Sequence, residues 1–272
     1  MVVGGPRCGT RFVAGALNCS PTVFVQGEVP PRAMDKAVRF LSETGDYFAS
    51  VPQWATSWQQ SRLTLLYALW MSMVKDERPV LRAPLNWFGH KTPRHDQYWQ
   101  FYRDFLGDPS PKYVFCMRNF TDHYLSMNSM NPRHRIDVVA AKYRDLVARY
   151  AEMRVALGED ISLFILDDLM DGGLDYLRET LFERLGIEVD AGMLARIDPA
   201  RRANSTEGAG KHRRRELSAA ERAFLDENQD LLEALPALRA ARPLARSVDG
   251  TTPERRGGAR RWLGWASTWS RP

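Results

Sequence analysis

Residues 1–12, Met-Val-Val-Gly-Gly-Pro-Arg-Cys-Gly-Thr-Arg-Phe, compress a strand, a glycine loop and the start of a helix into the first dozen positions. Val2 and Val3 are strand formers, Gly4 to Thr10 supply the loop, and Phe12, Val13, Ala16 and Leu17 then recur at helical spacing. A strand that turns through glycines into a helix aims backbone N–H groups and the positive end of the helix dipole at one point. An anion, usually a phosphate, is the natural occupant of that point. The plainer alternative is a strand-to-helix turn without a ligand.

The loop is nearly that of a nucleotide-hydrolysing protein, G-x-x-x-x-G-K-[ST], in which the lysine reaches the outer phosphates and the hydroxyl holds Mg²⁺. Gly4 and Gly9 have the spacing, but Thr10-Arg11 stands where Lys-Ser/Thr belongs, and the basic residue lies inside the loop as Arg7. A guanidinium there grips a terminal oxyanion with forked donors and without a metal. A second segment points to the same rim. Lys112–Met117 is a short, mostly apolar run expected to be a buried parallel strand, with Arg118-Asn119 at its carboxyl end and Ser126 on the helix-like run that follows. Ligands of open α/β sheets bind at the carboxyl ends of strands, so Arg118 is expected beside the Gly5–Thr10 loop. A Mg²⁺-dependent kinase wants an aspartate at a strand end, and an arginine suits an anion instead.

Strands are expected near Met1–Val3, Thr22–Val25, Val80–Pro84, Tyr113–Met117 and Ser162–Leu166. Helices are expected near Arg11–Leu17, Ala33–Glu43, Ser57–Val74, Tyr98–Leu106, Thr121–Met127, Val138–Leu157, Gly173–Leu185 and Ala219–Leu235, the last opened by a capping box at Ser218 and Glu221. Strands alternating with helices imply a doubly wound parallel sheet. The 272 residues suffice for one such domain, expected over 1–242. Residues 243–272, rich in Arg, Gly, Ser, Thr and Pro, are expected to form a flexible basic tail. That tail carries six arginines against Asp249 and Glu254, hence +4 of the net +5, so the basic balance does not call for a nucleic-acid partner. Its three tryptophans could instead make a peripheral membrane contact, or the tail has little role. No run of apolar residues is long enough for a transmembrane segment and no signal peptide is visible, while Cys8, Cys19 and Cys116 are odd in number. Reduced thiols and a cytoplasmic location are expected. The Gln53–Met73 stretch, with Trp54, Trp58, Tyr67, Trp70, Met71 and Met73, is a core-packing helix or an aromatic wall of a pocket.

Gly-Gly-Pro-Arg-Cys-Gly-Thr (Gly4–Thr10) resembles the 5′-phosphosulfate loop of sulfotransferases, commonly G-x-P-R-S-G-T-T. Val114–Ser126 is similar to their 3′-phosphate motif, an apolar strand, Arg-Asn-Pro, and a serine eight residues after the arginine. Gly27-Glu28 and Lys91-Thr92-Pro93 resemble elements of the bacterial and Golgi-type branches, and the resemblance spans about residues 1–225. Cys8 replaces the usual serine, Arg11 a common threonine, and Phe120 the proline after Arg-Asn. The resemblance implies a P-loop NTPase-like three-layer α/β fold with a central parallel sheet flanked by helices. It implies 3′-phosphoadenosine 5′-phosphosulfate (PAPS) as sulfuryl donor, no metal, and a small-molecule, glycan or lipid acceptor.

Under that resemblance Gly5, Pro6, Arg7, Cys8, Gly9 and Thr10 hold the 5′-phosphosulfate, Arg7 also assisting transfer, and Arg118 and Ser126 bind the 3′-phosphate. Glu28, between a strand-like run and the stiff Val-Pro-Pro, is the expected general base, or a glutamate paired with Arg32 or Arg7. Lys91 offsets charge on the bridging oxygen, and His90 is the reserve base, with His95 flanking it. Lys211, Arg213 and Arg214, in a basic loop before the last helix, close over the 3′-phosphate or form a solvated charge run. The competing readings are an ATP-dependent P-loop kinase and a non-catalytic nucleotide-binding interaction protein.

Overall fold

Short apolar runs bounded by glycine, proline and polar residues alternate with amphipathic stretches, and the chain folds in that alternation. The computed structural model describes residues 1–71, 85–107, 110–198 and 216–240. Its strands are β1 (Val2–Gly4), β2 (Val23–Gln26), β3 (Trp87–His90), β4 (Tyr113–Met117) and β5 (Ile161–Ile165). β1 pairs with β4 and β4 with β5, β2 pairs with β3, and every pairing is parallel. One parallel bridge, Val2 to Lys91, joins the two ladders, so the strands run in the order β2-β3-β1-β4-β5.

Between the strands stand α1 (Thr10–Leu17), α2 (Pro31–Ser50), α3 (Pro52–Met71), α4 (Trp99–Leu106), α5 (Phe120–Met130) and α6 (Ile136–Leu157). They are followed by α7 (Leu166–Leu177), α8 (Ala191–Leu194), α9 (Ala219–Glu227) and α10 (Asp230–Ala240). Every residue of β4 and β5 is buried, which requires cover on both faces. Along β4 the side chains alternate between two covers. Val114 and Cys116 pack with Val13 and Leu17 of α1 and with Phe164 of β5. Phe115 turns the other way, its ring 5.2 Å from Tyr150 of α6, and the Tyr113 hydroxyl donates to the Trp99 carbonyl of α4 at 3.2 Å. Burying a side chain such as Phe115 contributes about 2–3 kcal/mol. The result is the expected central parallel sheet flanked by helices.

Several boundaries differ from expectation for identifiable reasons. The third strand is Trp87–His90, whereas the expected Val80–Pro84 lies outside the described residues. α2 runs on to Ser50 because Gly45 does not end it: a Cβ there would stand 3.3 Å from Trp58 Nε1, so the glycine lets α3 approach. Trp58 then packs between Phe48 and Phe105, ring centroids 5.5 and 6.0 Å away, which favours the core reading of that helix. The segment expected to begin a helix at Gly173 is already helical from Leu166, and Gly173 (φ 54°) kinks it. The expected last helix is two, broken at Asn228, where Arg144 donates to Asn228 Oδ1 at 2.8 Å and to both Asp230 oxygens at 2.6 and 2.8 Å. The capping box at Ser218 and Glu221 forms as expected.

Contacts divide the chain into two units, Met1–Leu235 and Pro236–Pro272. The expected tail, 243–272, lies outside the described residues. Among the described residues no helix is long and apolar enough to cross a membrane.

Candidate active site

The loop after β1 takes its shape from glycines that no other residue can replace. Gly4 has φ 116°, and a Cβ there would lie 2.2 Å from the Cys116 carbonyl oxygen of β4. Gly5 N–H donates to that same carbonyl at 3.2 Å, and Cys8 N–H donates to Gly5 O at 3.2 Å, closing a tight turn. Pro6 has no N–H. Of the loop donors expected from Gly5 to Thr10, two are therefore spent internally, and Arg7, Gly9 and Thr10 carry those left for an anion. Gly9 (φ 88°) precedes α1 without a side-chain cap, so the helix opens toward the loop with its first N–H groups unsatisfied by side chains.

Cys8 gives its backbone to the loop and its side chain to the core. Its side chain is wholly buried and turns away from the loop mouth, with Sγ 3.4 Å from His123 Nδ1 on α5. Burial pushes its thiol up to about 12 and pushes the His123 imidazole down to about 4, the latter helped by the charges of Arg118 and Arg94. Both shifts favour the uncharged forms, so Cys8 is held as a thiol rather than a thiolate.

Arg7, at φ 68°, donates its Nε–H to Ser126 Oγ of α5 at 3.0 Å. Burial first, and then the nearby Arg118, lower the Arg7 pKa. Arg118 leaves the end of β4 and donates Nη2–H to Asp122 Oδ2 at 2.9 Å, with Nε 3.8 Å from Asp167 Oδ1. Asn119 fixes this corner. Its side chain caps α5 by accepting from Asp122 N–H at 2.8 Å, and its N–H and Nδ2 both donate to Asp167 at 2.7 Å. Phe120 is buried 5.3 Å from the Tyr143 ring, where a proline would leave that space unfilled.

On the other side of β1, Lys91 continues β3 and pairs with Glu28, which follows β2. The Lys91 side chain is 10% exposed and the Glu28 side chain 60%, so the ammonium lies under a carboxylate at the mouth of the site. Thr92 Oγ1 accepts from Val29 N–H at 3.0 Å and holds the Glu28 segment against β3. His90 does not join this mouth. It is fully buried, with Nδ1 3.1 Å from Thr92 Oγ1 and Nε2 3.1 Å from the Tyr102 hydroxyl, which in turn donates to Met34 Sδ. Burial lowers its pKa well below that of an ordinary imidazole. Both ring nitrogens are thus engaged inside the fold, away from the Glu28–Lys91 pair. His95 is also buried, its pKa pushed down to about 4 by burial.

No family model and no curated protein matches the chain. Solved structures do. The chain is similar to the sulfotransferase STF9 from Mycobacterium avium at 16% identity, over 90% of this chain and 77% of that one, with a TM-score of 0.47. It is similar to a sulfotransferase from Alicyclobacillus acidocaldarius at 15% identity, over 86% and 93%, with a TM-score of 0.46. Mouse sulfotransferase SULT7A1 complexed with PAP is similar at 12% identity, over 89% and 88%, with a TM-score of 0.49.

The structure thus gathers Gly5, Pro6, Arg7, Gly9, Thr10, Arg118 and Ser126 around one loop and brings Glu28 and Lys91 together on its other side. Cys8 and His90 face inward. Lys211, Arg213 and Arg214 lie outside the described residues. Asp167 was missed, although it stands just beyond the carboxyl end of β5, the same rim rule that singled out Arg118. It is a strand-end aspartate of the kind a metal site needs, but here it is bound by Asn119 and faces Arg118. Arg94 was also missed, because the sequence gives no sign that the segment after Lys91 runs along the loop.

Proposed function

We propose that this chain is a sulfotransferase that moves a sulfuryl group from PAPS to an acceptor hydroxyl. The observation that carries the reading is the Arg7–Ser126 hydrogen bond, which draws the loop motif and the Arg118–Ser126 motif into one anion site. In this reading Arg7 and the N–H groups of Gly9 and Thr10 hold the 5′-phosphosulfate. Arg118 exchanges Asp122 for the 3′-phosphate, and Ser126 lies beside both groups.

The Glu28–Lys91 pair supplies the remaining chemistry. When donor and acceptor bind, the ammonium turns to the bridging oxygen and the carboxylate to the acceptor hydroxyl. The acceptor oxygen forms its bond to sulfur as its proton passes to Glu28. The bond from sulfur to the bridging oxygen breaks, and its electron pair stays on the 5′-phosphate, releasing 3′-phosphoadenosine 5′-phosphate (PAP). Alignment and charge stabilisation provide most of the acceleration in such a transfer. The acceptor class is a small molecule, glycan or lipid. Calorimetry tests the donor assignment: PAP binds without magnesium and far more tightly than ATP, and equal affinities would rule it out.

A further inference from the structure

Among the described residues, only two non-glycine residues have a left-handed backbone, Arg7 at φ 68° and Arg94 at φ 67°. Both are arginines, and both adjoin the same loop. Such a conformation costs an ordinary residue free energy and concentrates where a side chain is needed in place. Arg94 is held there by a run of backbone bonds that stitch its segment along the rim. Lys91 N–H donates to Gln26 O at 3.0 Å, Thr92 N–H to Val2 O at 3.1 Å, and Arg94 N–H to Gly4 O at 3.0 Å. The strap that carries Lys91 therefore carries Arg94 to the residue at which the loop begins.

The charges around the loop differ in how they are balanced. Lys91 is paired with Glu28, and Arg118 with Asp122 and Asp167. Arg7 meets only the neutral Ser126 hydroxyl, and exposed Arg94 makes no salt bridge among the described residues. Its charge nonetheless reaches the site, being felt at His123, whose ring touches Cys8 of the loop. A 5′-phosphosulfate carries one negative charge on phosphorus oxygens and one on sulfur oxygens. Arg7 within the loop and Arg94 at its start supply two guanidinium groups for that pair of charges, the charge of Arg94 being felt at Asp96 as well.

We propose that Arg94 binds the terminal sulfuryl group of the donor, while Arg7 holds the phosphate to which it is joined. This rests on the sulfotransferase reading of the site. It makes Arg94 a contact for the transferring group that PAP, which lacks the sulfuryl, does not engage.

The test compares PAPS and PAP binding by calorimetry in the wild type, Arg94→Gly and Arg94→Lys. Glycine accepts φ 67° without strain, so Arg94→Gly keeps the strap, and its melting temperature is expected to equal or exceed that of the wild type. PAPS affinity is expected to fall about tenfold or more in Arg94→Gly, the loss of a charge-assisted contact. PAP affinity stays within about twofold, and Arg94→Lys retains most of the PAPS affinity. An equal loss for both nucleotides, no loss for either, or a lowered melting temperature that accounts for the loss would each overturn the assignment. If the wild type binds neither nucleotide, the reading of the site falls and Arg94 falls with it.

Discussion

Arg7 Nε donates to Ser126 Oγ at 3.0 Å, so an arginine of the first loop is aimed by a helix residue 119 positions later in the chain. The bond fixes a flexible guanidinium before any ligand arrives, which reduces what binding must order. Ser126→Ala leaves Nε without this acceptor and lets the side chain swing. PAP affinity measured by calorimetry is expected to fall about tenfold, with the melting temperature nearly unchanged because Ser126 is only half-buried.

Glu28→Gln keeps the shape of the carboxylate but removes its capacity to take a proton. Turnover is expected to fall by about 10²–10⁴ while PAP binding is retained. Rates with labelled donor check the first and calorimetry the second. Full activity in the variant would deny Glu28 the role of base.

Gly4→Ala is expected to destabilise the protein by more than about 3 kcal/mol, because the new methyl meets the Cys116 carbonyl at 2.2 Å on backbone that L-residues avoid. Urea unfolding measures it. Neither partner can retreat, since Gly5 N–H is bonded to that same carbonyl.

Stability should rise as pH climbs from 4 to 6.5. The unfolded chain takes up protons near 6.5 at His123, whereas in the folded protein burial holds that imidazole neutral down to about 4. Over that window the unfolded state binds more protons, and His123 alone accounts for about 3 kcal/mol of stability lost on acidification. His95, also pushed to about 4, acts in the same direction. Asp96, raised to about 6 by burial, opposes them because the folded chain keeps its proton longer. The slope of urea midpoint against pH is expected to be smaller in His123→Gln than in the wild type, and identical slopes would contradict the neutral burial of this ring.

The loop and the Arg118 corner were legible because both depend on local order: valines before glycines, an apolar run before an arginine. The Trp87–His90 strand was not, since Trp-Phe-Gly-His carries a glycine and follows Pro84 closely, and so the extension of that strand by Lys91 had no local signal. Gly45 and Gly173 illustrate the same limit. One glycine accommodates the Trp58 ring without ending its helix, the other kinks a helix already under way, and only tertiary packing separates the cases. The inward turn of Cys8 had no signal at all, because its partner His123 lies 115 positions away.

Among the described residues, one bridge, Val2 to Lys91, is the only strand pairing between the β2–β3 ladder and the β1–β4–β5 ladder. Glu28 and Lys91 ride on the first ladder, while Arg7, Arg118 and Ser126 belong to the second. The molecule is therefore modular at the level of its backbone: in the proposed function, one ladder could be redesigned for a new acceptor while the other keeps the residues proposed to hold the nucleotide. The Lys91–Arg94 strap is the seam along which the two must still agree.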